Sequence, residues 1–139
     1  MAHDTRSAPG DVLVALDPRP EAGRRARRAL VDGGLADDIA HAVDLLSTEL
    51  VANAVRHADI PDDGRIMFFA HLEEDFARVE VADPGAGFDP DAVEHGFGLR
   101  LVDKVASAWG VDATKGCRVW FEVDRRTRKF RRALGTGAP

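Results

Sequence analysis

The sequence predicts an α+β fold, a two-layer sandwich in which a mixed, mostly antiparallel sheet carries about three helices on one face. Segments of strand and helix type follow one another in the order β-α-α-β-β-loop-α-β-β. Two of the strand segments, 65–72 and 76–83, are joined by a short Glu-Glu-Asp turn, which predicts a hairpin. The chain of 139 residues is long enough for one domain with one hydrophobic core.

The first strand and the first helix follow from local signals. Residues 11–16 (DVLVAL) have the alternation of a short strand, and the segment 17–20 (DPRP) ends it. A helix over about 21–31 directs its arginines to solvent, and the segment 32–34 (DGG) ends it.

The longest helix is predicted from a buried stripe. Asp37 or Asp38 can cap its start, because aspartate accepts a hydrogen bond from the first free amides of a helix. Apolar side chains then recur at spacings of four, three and four residues, as one face of a helix requires. They are Ile39, Val43, Leu46 and Leu50.

The second half of the chain continues with strands. Residues 65–72 are nearly continuous in apolar side chains, as in a strand covered on both faces, whereas residues 76–83 alternate apolar with polar ones. The remaining elements are a loop rich in Gly, Pro and Asp at 84–95, a helix at about 98–108, and strands at 109–113 and 118–123.

The composition excludes several classes of protein. Hydrophobic residues make up 45% and charged residues 31%, which is ordinary for a globular domain and excludes a disordered or collagen-like chain. The single cysteine, Cys117, cannot form an internal disulfide, which favours a reducing compartment. Because no apolar stretch approaches about 18 residues and none follows the N-terminal charges, we expect no membrane span, no signal peptide and a cytoplasmic location.

Charge is distributed unevenly along the chain. The formal net charge is −5, and residues 125–132 hold five Arg and one Lys, so the remainder carries −11. We therefore predict a flexible N-terminus at 1–10, an acidic domain at 11–124 and a basic C-terminal tail at 125–139. An acidic domain argues against direct binding of nucleic acid, which needs a basic surface. The tail could contact an anionic partner, although a solvated terminus is the preferred interpretation.

A glutamate and an asparagine lie four residues apart on the long predicted helix. Glu49 and Asn53 therefore project from one face, beside the buried stripe. The carbonyl oxygen of an asparagine is a suitable ligand for Mg²⁺, and a carboxylate at the edge of a core needs a cation or a donor beside it. The plainer interpretation, two polar side chains facing solvent, stays open from this segment alone.

Two glycine-bearing segments flank the predicted loop. In the segment 83–87 (DPGAG), a turn after a strand lets a ligand approach the backbone, and a buried Asp83 could accept a hydrogen bond from an amine such as that of adenine. The segment 96–99 (GFGL) precedes a helix, whose first amides and dipole favour phosphate. Each segment alone is also typical of a plain turn.

Other site chemistries lack their motifs. The five histidines and the single cysteine do not have zinc-ligand spacing. The sequence has no Gly-x-x-x-x-Gly-Lys-Ser/Thr loop, and it has no Gly-x-Ser-x-Gly elbow of a serine hydrolase.

The three segments in this order resemble the N, G1 and G2 boxes of the GHKL (Bergerat-fold) ATPase superfamily, and the resemblance covers roughly residues 12–124. The short lid between Gly87 and Gly96 and the closing segment 119–122 (VWFE) are most similar to the small anti-sigma factor serine/threonine kinases of bacterial partner-switching systems. The resemblance implies the histidine kinase-like ATPase fold, with 11–124 as an ATP-binding kinase domain.

The resemblance also implies a role for each box. It implies that Glu49 is the general base or orients a water molecule, that Asn53 coordinates Mg²⁺, and that Asp83 binds the adenine amino group. The implied backbone contacts to the nucleotide are Gly85 and Gly87 by close approach, Gly96 and Gly98 around the phosphates, and the amide of Leu99.

Two further features lie next to these boxes. Arg56 and His57 follow the Glu-Asn pair at helical spacing and border the predicted phosphate pocket, with His57 interpreted as structural. Members of the resembled family often carry a threonine just ahead of the last strand, where this chain has Gly116 and Cys117. Without this threonine, the chain lacks one hydroxyl that could contact the nucleotide. Cys117 is interpreted as a small strand residue.

The leading hypothesis from the resemblance is an ATP-dependent serine/threonine kinase that phosphorylates an anti-sigma factor antagonist and sequesters a sigma factor. ATP and Mg²⁺ are the implied cofactors. The alternative is a nucleotide-dependent module that sequesters a sigma factor or another regulator without phosphotransfer, which the missing threonine motivates. A detached catalytic module of a two-component histidine kinase is disfavoured by the short lid. By analogy we expect a homodimer, with no direct nucleic-acid or membrane partner.

Overall fold

A computed structural model of the chain describes residues 10–57, 60–61, 63–84, 99–112 and 116–127. Its helices and strands are, in chain order, β1 at Asp11–Leu16, α1 at Ala22–Asp32, α2 at Asp37–His57, β2 at Ile66–Leu72, β3 at Phe76–Asp83, α3 at Leu99–Val105, β4 at Ala108–Asp112 and β5 at Cys117–Asp124.

The five strands of the described residues form one sheet in the order β1-β2-β3-β5-β4. All four pairings between them are antiparallel. Alternate residues of β2, β3 and β5 are buried, as expected of a sheet with helices on one face only. The predicted α+β sandwich is confirmed.

The core lies between the sheet and α2. All four apolar residues of the predicted stripe on α2 are buried, and this helix packs against α1, β3 and β5. The helix begins at Asp37, so Asp37 and Asp38 lie inside its first turn rather than capping it from outside. In the first turn, their negative charges still interact favourably with the positive end of the helix dipole.

The turn after α1 brings the chain back to start α2. Gly34 has a φ of 95°, a conformation that side chains with a Cβ rarely adopt. The amide of Leu35 donates to the carbonyl of Leu30 at 3.1 Å, which closes the end of α1. The predicted helix stop at 32–34 is confirmed.

Strand β2 differs from its prediction, because only one of its faces is covered. Ile66 and Phe68 are fully buried, whereas Met67 between them is 39% exposed. The open face of the sheet carries apolar side chains here, and a continuous apolar run therefore does not require cover on both sides.

Helix α3 is shorter than predicted, and the following strand starts one residue earlier. The amide of Ser107 already donates to the carbonyl of Glu122 at 2.7 Å, so the chain has joined β5 before Ala108. A helix continuing to Ala108 is incompatible with this pairing.

The first residues of the predicted basic tail contact the domain. The amide of Arg125 donates to the carbonyl of Asp75 at 2.8 Å, and its guanidinium lies 3.3 Å from the carboxylate of the same residue. The predicted domain boundary after residue 124 stays a prediction. Among the helices of the described ranges, none combines the length and the apolar character needed to cross a bilayer.

Candidate functional site

Helix α2 brings three polar side chains together on one face. Asn53 is 5% exposed, and its Oδ1 accepts a hydrogen bond of 2.9 Å from Arg56 Nη2. The same nitrogen lies 3.9 Å from Glu49 Oε2. Glu49 and Asn53 therefore share one cationic neighbour, as their spacing of four residues allows.

Asp83 lies at the end of β3 and is 6% exposed. Its position matches the buried residues of β3, so its side chain lies on the face that the helices cover. Directly opposite on β5 is Cys117, which is also buried on that face. Cys117, one of the two residues predicted to stand near the usual threonine position of the resembled family, is therefore the direct cross-strand neighbour of Asp83.

The elements that carry the three boxes pack together around α2. This helix contacts β3, which ends in Asp83, and α3, whose first residue is the buried Leu99. Four of the predicted backbone contacts lie outside the described residues, namely Gly85, Gly87, Gly96 and Gly98. The side chain of His57 lies outside them as well.

The donor set on α2 fits a magnesium ion that completes its shell elsewhere. In the described parts of the chain, no three His, Cys, Asp or Glu side chains are grouped closely enough to hold a metal ion. Mg²⁺ commonly takes only one or two protein oxygens and completes its shell with water and substrate phosphates. Arg56 Nη2, at 2.9 Å from Asn53 Oδ1 and 3.9 Å from Glu49 Oε2, is a cationic group that contacts both oxygens in the structure.

A groove of about 520 Å³ lies between the start of α1 and the outer side of α2. It is lined by Pro20, Glu21, Gly23, Arg24, Thr48, Ala52, Val55 and Arg56. The groove was not predicted from the sequence. The spacing of Thr48, Ala52 and Val55, a second stripe on α2, was the signal that could have found it.

Arg56 is the residue that joins the groove to the row of polar side chains. It lines the groove, and it also contacts Asn53 and Glu49. Of the predicted site residues that the structure describes, Arg56 lines the groove, whereas Glu49, Asn53 and Asp83 do not.

A partly buried carboxylate, Asp44, lies on α2 where it faces α1. Burial raises the pKa of Asp44 above its ordinary value, and Arg27, 3.6 Å away, opposes this shift. Asp44 Oδ1 and the hydroxyl of Ser47 have no hydrogen-bond partner within the described ranges. Such groups weaken the folded state, because their contacts with water are lost on folding.

The sheet, the helix that carries the acid and amide, and the buried aspartate at a strand end are the features of a GHKL-type nucleotide-binding domain. A family model described as the histidine kinase-like ATPase domain matches residues 15–121, well over half of the chain. The chain belongs to that family. Membership implies ATP binding. A search of the curated proteins returned no match.

Proposed function

We propose that the protein binds Mg·ATP and transfers the γ-phosphoryl group to a serine or threonine of an anti-sigma factor antagonist. The observation that supports this proposal most directly is the pair of oxygens on α2, Asn53 Oδ1 and Glu49 Oε2, which share one cationic neighbour. Membership of the histidine kinase-like ATPase family supports ATP as the nucleotide. The resemblance to anti-sigma factor kinases supports an anti-sigma factor antagonist as the protein substrate.

Asp83 would select the base. Its buried carboxylate accepts a hydrogen bond from the exocyclic amine of adenine, and guanine presents a carbonyl oxygen at that position instead. Burial strengthens this selection, because two acceptor oxygens that face each other in a site shielded from water form no hydrogen bond with each other.

Glu49 and Asn53 would have separate roles at the phosphate end of the nucleotide. Asn53 would hold Mg²⁺, which when bound neutralises the charge of the phosphates. Glu49 would accept the proton of the attacking hydroxyl. The hydroxyl oxygen then bonds to the γ-phosphorus, and the oxygen that bridges the β- and γ-phosphorus atoms leaves with ADP.

The same surface would release the product protein. A phosphate adds about −1.5 to −2 charges to the antagonist, and the domain that it faces is acidic. Repulsion between like charges then favours dissociation. In this proposal the protein is a cytoplasmic homodimer. Whether it sequesters a sigma factor depends on whether its antagonist partner is unphosphorylated.

The second candidate is a nucleotide-dependent binding module that sequesters a sigma factor or another regulator without phosphotransfer. Cys117 favours it, because this residue lies opposite Asp83 and supplies no hydroxyl there. The thiol is a weak hydrogen-bond donor. Such a module would still bind Mg·ATP.

Calorimetry with Mg·ATP and Mg·GTP tests the nucleotide site. We expect the wild type to prefer ATP, and Asp83→Asn to lose this preference. Glu80→Gln is the matched control, because Glu80 lies on the same strand but on the open face of the sheet. An absence of ATP binding by the wild type would refute both candidate functions.

Mass spectrometry of antagonist proteins from the source genome separates the two candidates. A phosphorylated serine or threonine that forms with the wild type and not with Glu49→Gln supports the kinase. ATP binding without any phosphorylated product after long incubation supports the binding module. Unchanged phosphorylation by Glu49→Gln would contradict the role of this residue as the base.

A further inference from the structure

We propose that Arg56 occupies the position of the divalent cation when no nucleotide is bound, and that Mg²⁺ must displace it. Arg56 therefore sets the magnesium concentration at which the nucleotide binds. This inference rests on the proposed function, because it assigns a regulating residue to the same site.

The contacts of Arg56 carry the inference. Its Nη2 donates to Asn53 Oδ1 at 2.9 Å, and this is the oxygen that Mg²⁺ would need. The same atom is 3.9 Å from Glu49 Oε2. Mg²⁺ binds its oxygen ligands at about 2.0–2.1 Å, so a metal ion on Asn53 would lie close to the guanidinium. The metal ion and Arg56 Nη2 would then be at most about 5 Å apart, a separation at which two cations repel each other.

The structure also offers a place for the displaced side chain. The Arg56 side chain is 55% exposed, and it lines the groove between α1 and α2. Glu21 lines the same groove and provides a carboxylate there. In this proposal Arg56 rotates away from Asn53 into the groove that Glu21 also lines, and the backbone of α2 stays in place.

The sequence predicts Arg56 at the border of a phosphate pocket, and a phosphate-binding role would give the opposite result. If Arg56 binds phosphate, its removal weakens nucleotide binding at every magnesium concentration. If Arg56 competes with the metal, its removal lowers the magnesium concentration needed for half-maximal binding. The direction of the change thus separates the two roles.

The test measures binding of a fluorescent, non-hydrolysable ATP analogue while Mg²⁺ is titrated. We expect Arg56→Gln to lower the magnesium midpoint about three- to tenfold, as for the loss of one partly exposed charged contact. Arg56→Lys should stay nearer the wild type, because it keeps the charge. Glu21→Gln should raise the midpoint, because it removes the alternative partner of the displaced side chain.

Arg24→Gln is the matched control. Arg24 is an exposed arginine that lines the same groove, so this variant changes the net charge by the same amount and should leave the magnesium midpoint unchanged. Thermal melts establish that each variant is folded. An unchanged or higher midpoint for Arg56→Gln overturns the inference alone. A wild type that binds no analogue at any magnesium concentration overturns the proposed function and the inference with it.

Discussion

Replacement of Cys117 by threonine should strengthen nucleotide binding, because it places a hydroxyl beside the buried carboxylate of Asp83. The two residues are direct cross-strand partners on β5 and β3, and both are buried. The Cβ atoms of such partners lie about 4.5–5.5 Å apart. A hydroxyl on residue 117 is therefore within reach of the carboxylate, or of an amine that the carboxylate binds.

The size of the effect follows from the energy of one hydrogen bond. A typical intramolecular hydrogen bond contributes about 0.5–1.5 kcal/mol, which corresponds to about a two- to twelvefold change in Kd. Threonine also adds one side-chain atom in a buried position, so packing changes as well. Cys117→Val has the same branched shape without the hydroxyl and measures the packing effect by itself.

Calorimetry with Mg·ATP on the wild type, Cys117→Thr and Cys117→Val measures both effects. We expect the threonine variant to bind more tightly than the valine variant by the stated factor, and we expect this difference to shrink when Asp83 is replaced by asparagine. Equal affinities of the threonine and valine variants would refute the reasoning, because they would show that the hydroxyl adds no hydrogen bond to nucleotide binding.

Three further predictions concern stability. A Cβ on Gly110 would lie 2.8 Å from Trp120 Nε1, so Gly110→Ala should destabilise the fold by about 1–3 kcal/mol in chemical denaturation. Burial raises the pKa of Asp44, so the folded state favours the protonated carboxyl and the free energy of unfolding should fall as pH rises through the raised pKa. Asp44→Asn removes the charge that burial disfavours and should therefore melt at a higher temperature at neutral pH. Hydrogen bonds to Asp11 and Glu73 raise the pKa of His71, so the stability from this exposed cluster, at most about 1 kcal/mol, should be lost as pH rises through the raised pKa.

Each of these predictions has a control. Among the residues that the structure describes, none would lie within 4 Å of a Cβ on Gly10, so Gly10→Ala should not destabilise the fold. Equal melting of both alanine variants would contradict the packing argument. Asp63→Asn removes an exposed carboxylate, and a gain as large as that of Asp44→Asn would show that net charge alone is responsible. His71→Gln should remove the pH dependence assigned to that cluster, and a persistent dependence would exclude His71 as its source.

The parts of the fold that depend on local pattern could be predicted from the sequence. Strands β1 and β3 have the predicted bounds, because their short segments end at clear turn signals. The stripe on α2 follows from the period of the helix. The sequence could not show whether one or both faces of β2 are covered, because an apolar residue such as Met67 is compatible with either arrangement. Only the tertiary fold decides which face stays open.

The candidate site could be predicted in the same partial way. The shared face of Glu49 and Asn53 follows from their spacing on one helix. The opposition of Asp83 and Cys117 could not be derived, because it depends on the register between two strands that are distant in sequence. The double contact of Arg56 could not be derived either, since the direction of a long side chain depends on the neighbours that the fold provides.

Helix α2 limits how this protein could be regulated. Its 21 residues carry the buried stripe, the acid and amide, and one wall of the groove. A shift by one residue would translate the helix by about 1.5 Å and turn it by about 100°, which would disturb all three surfaces together. Reorientation of individual side chains, with the helical axis fixed, would leave the buried stripe in place and is therefore the less disruptive way to regulate the proposed ATP site.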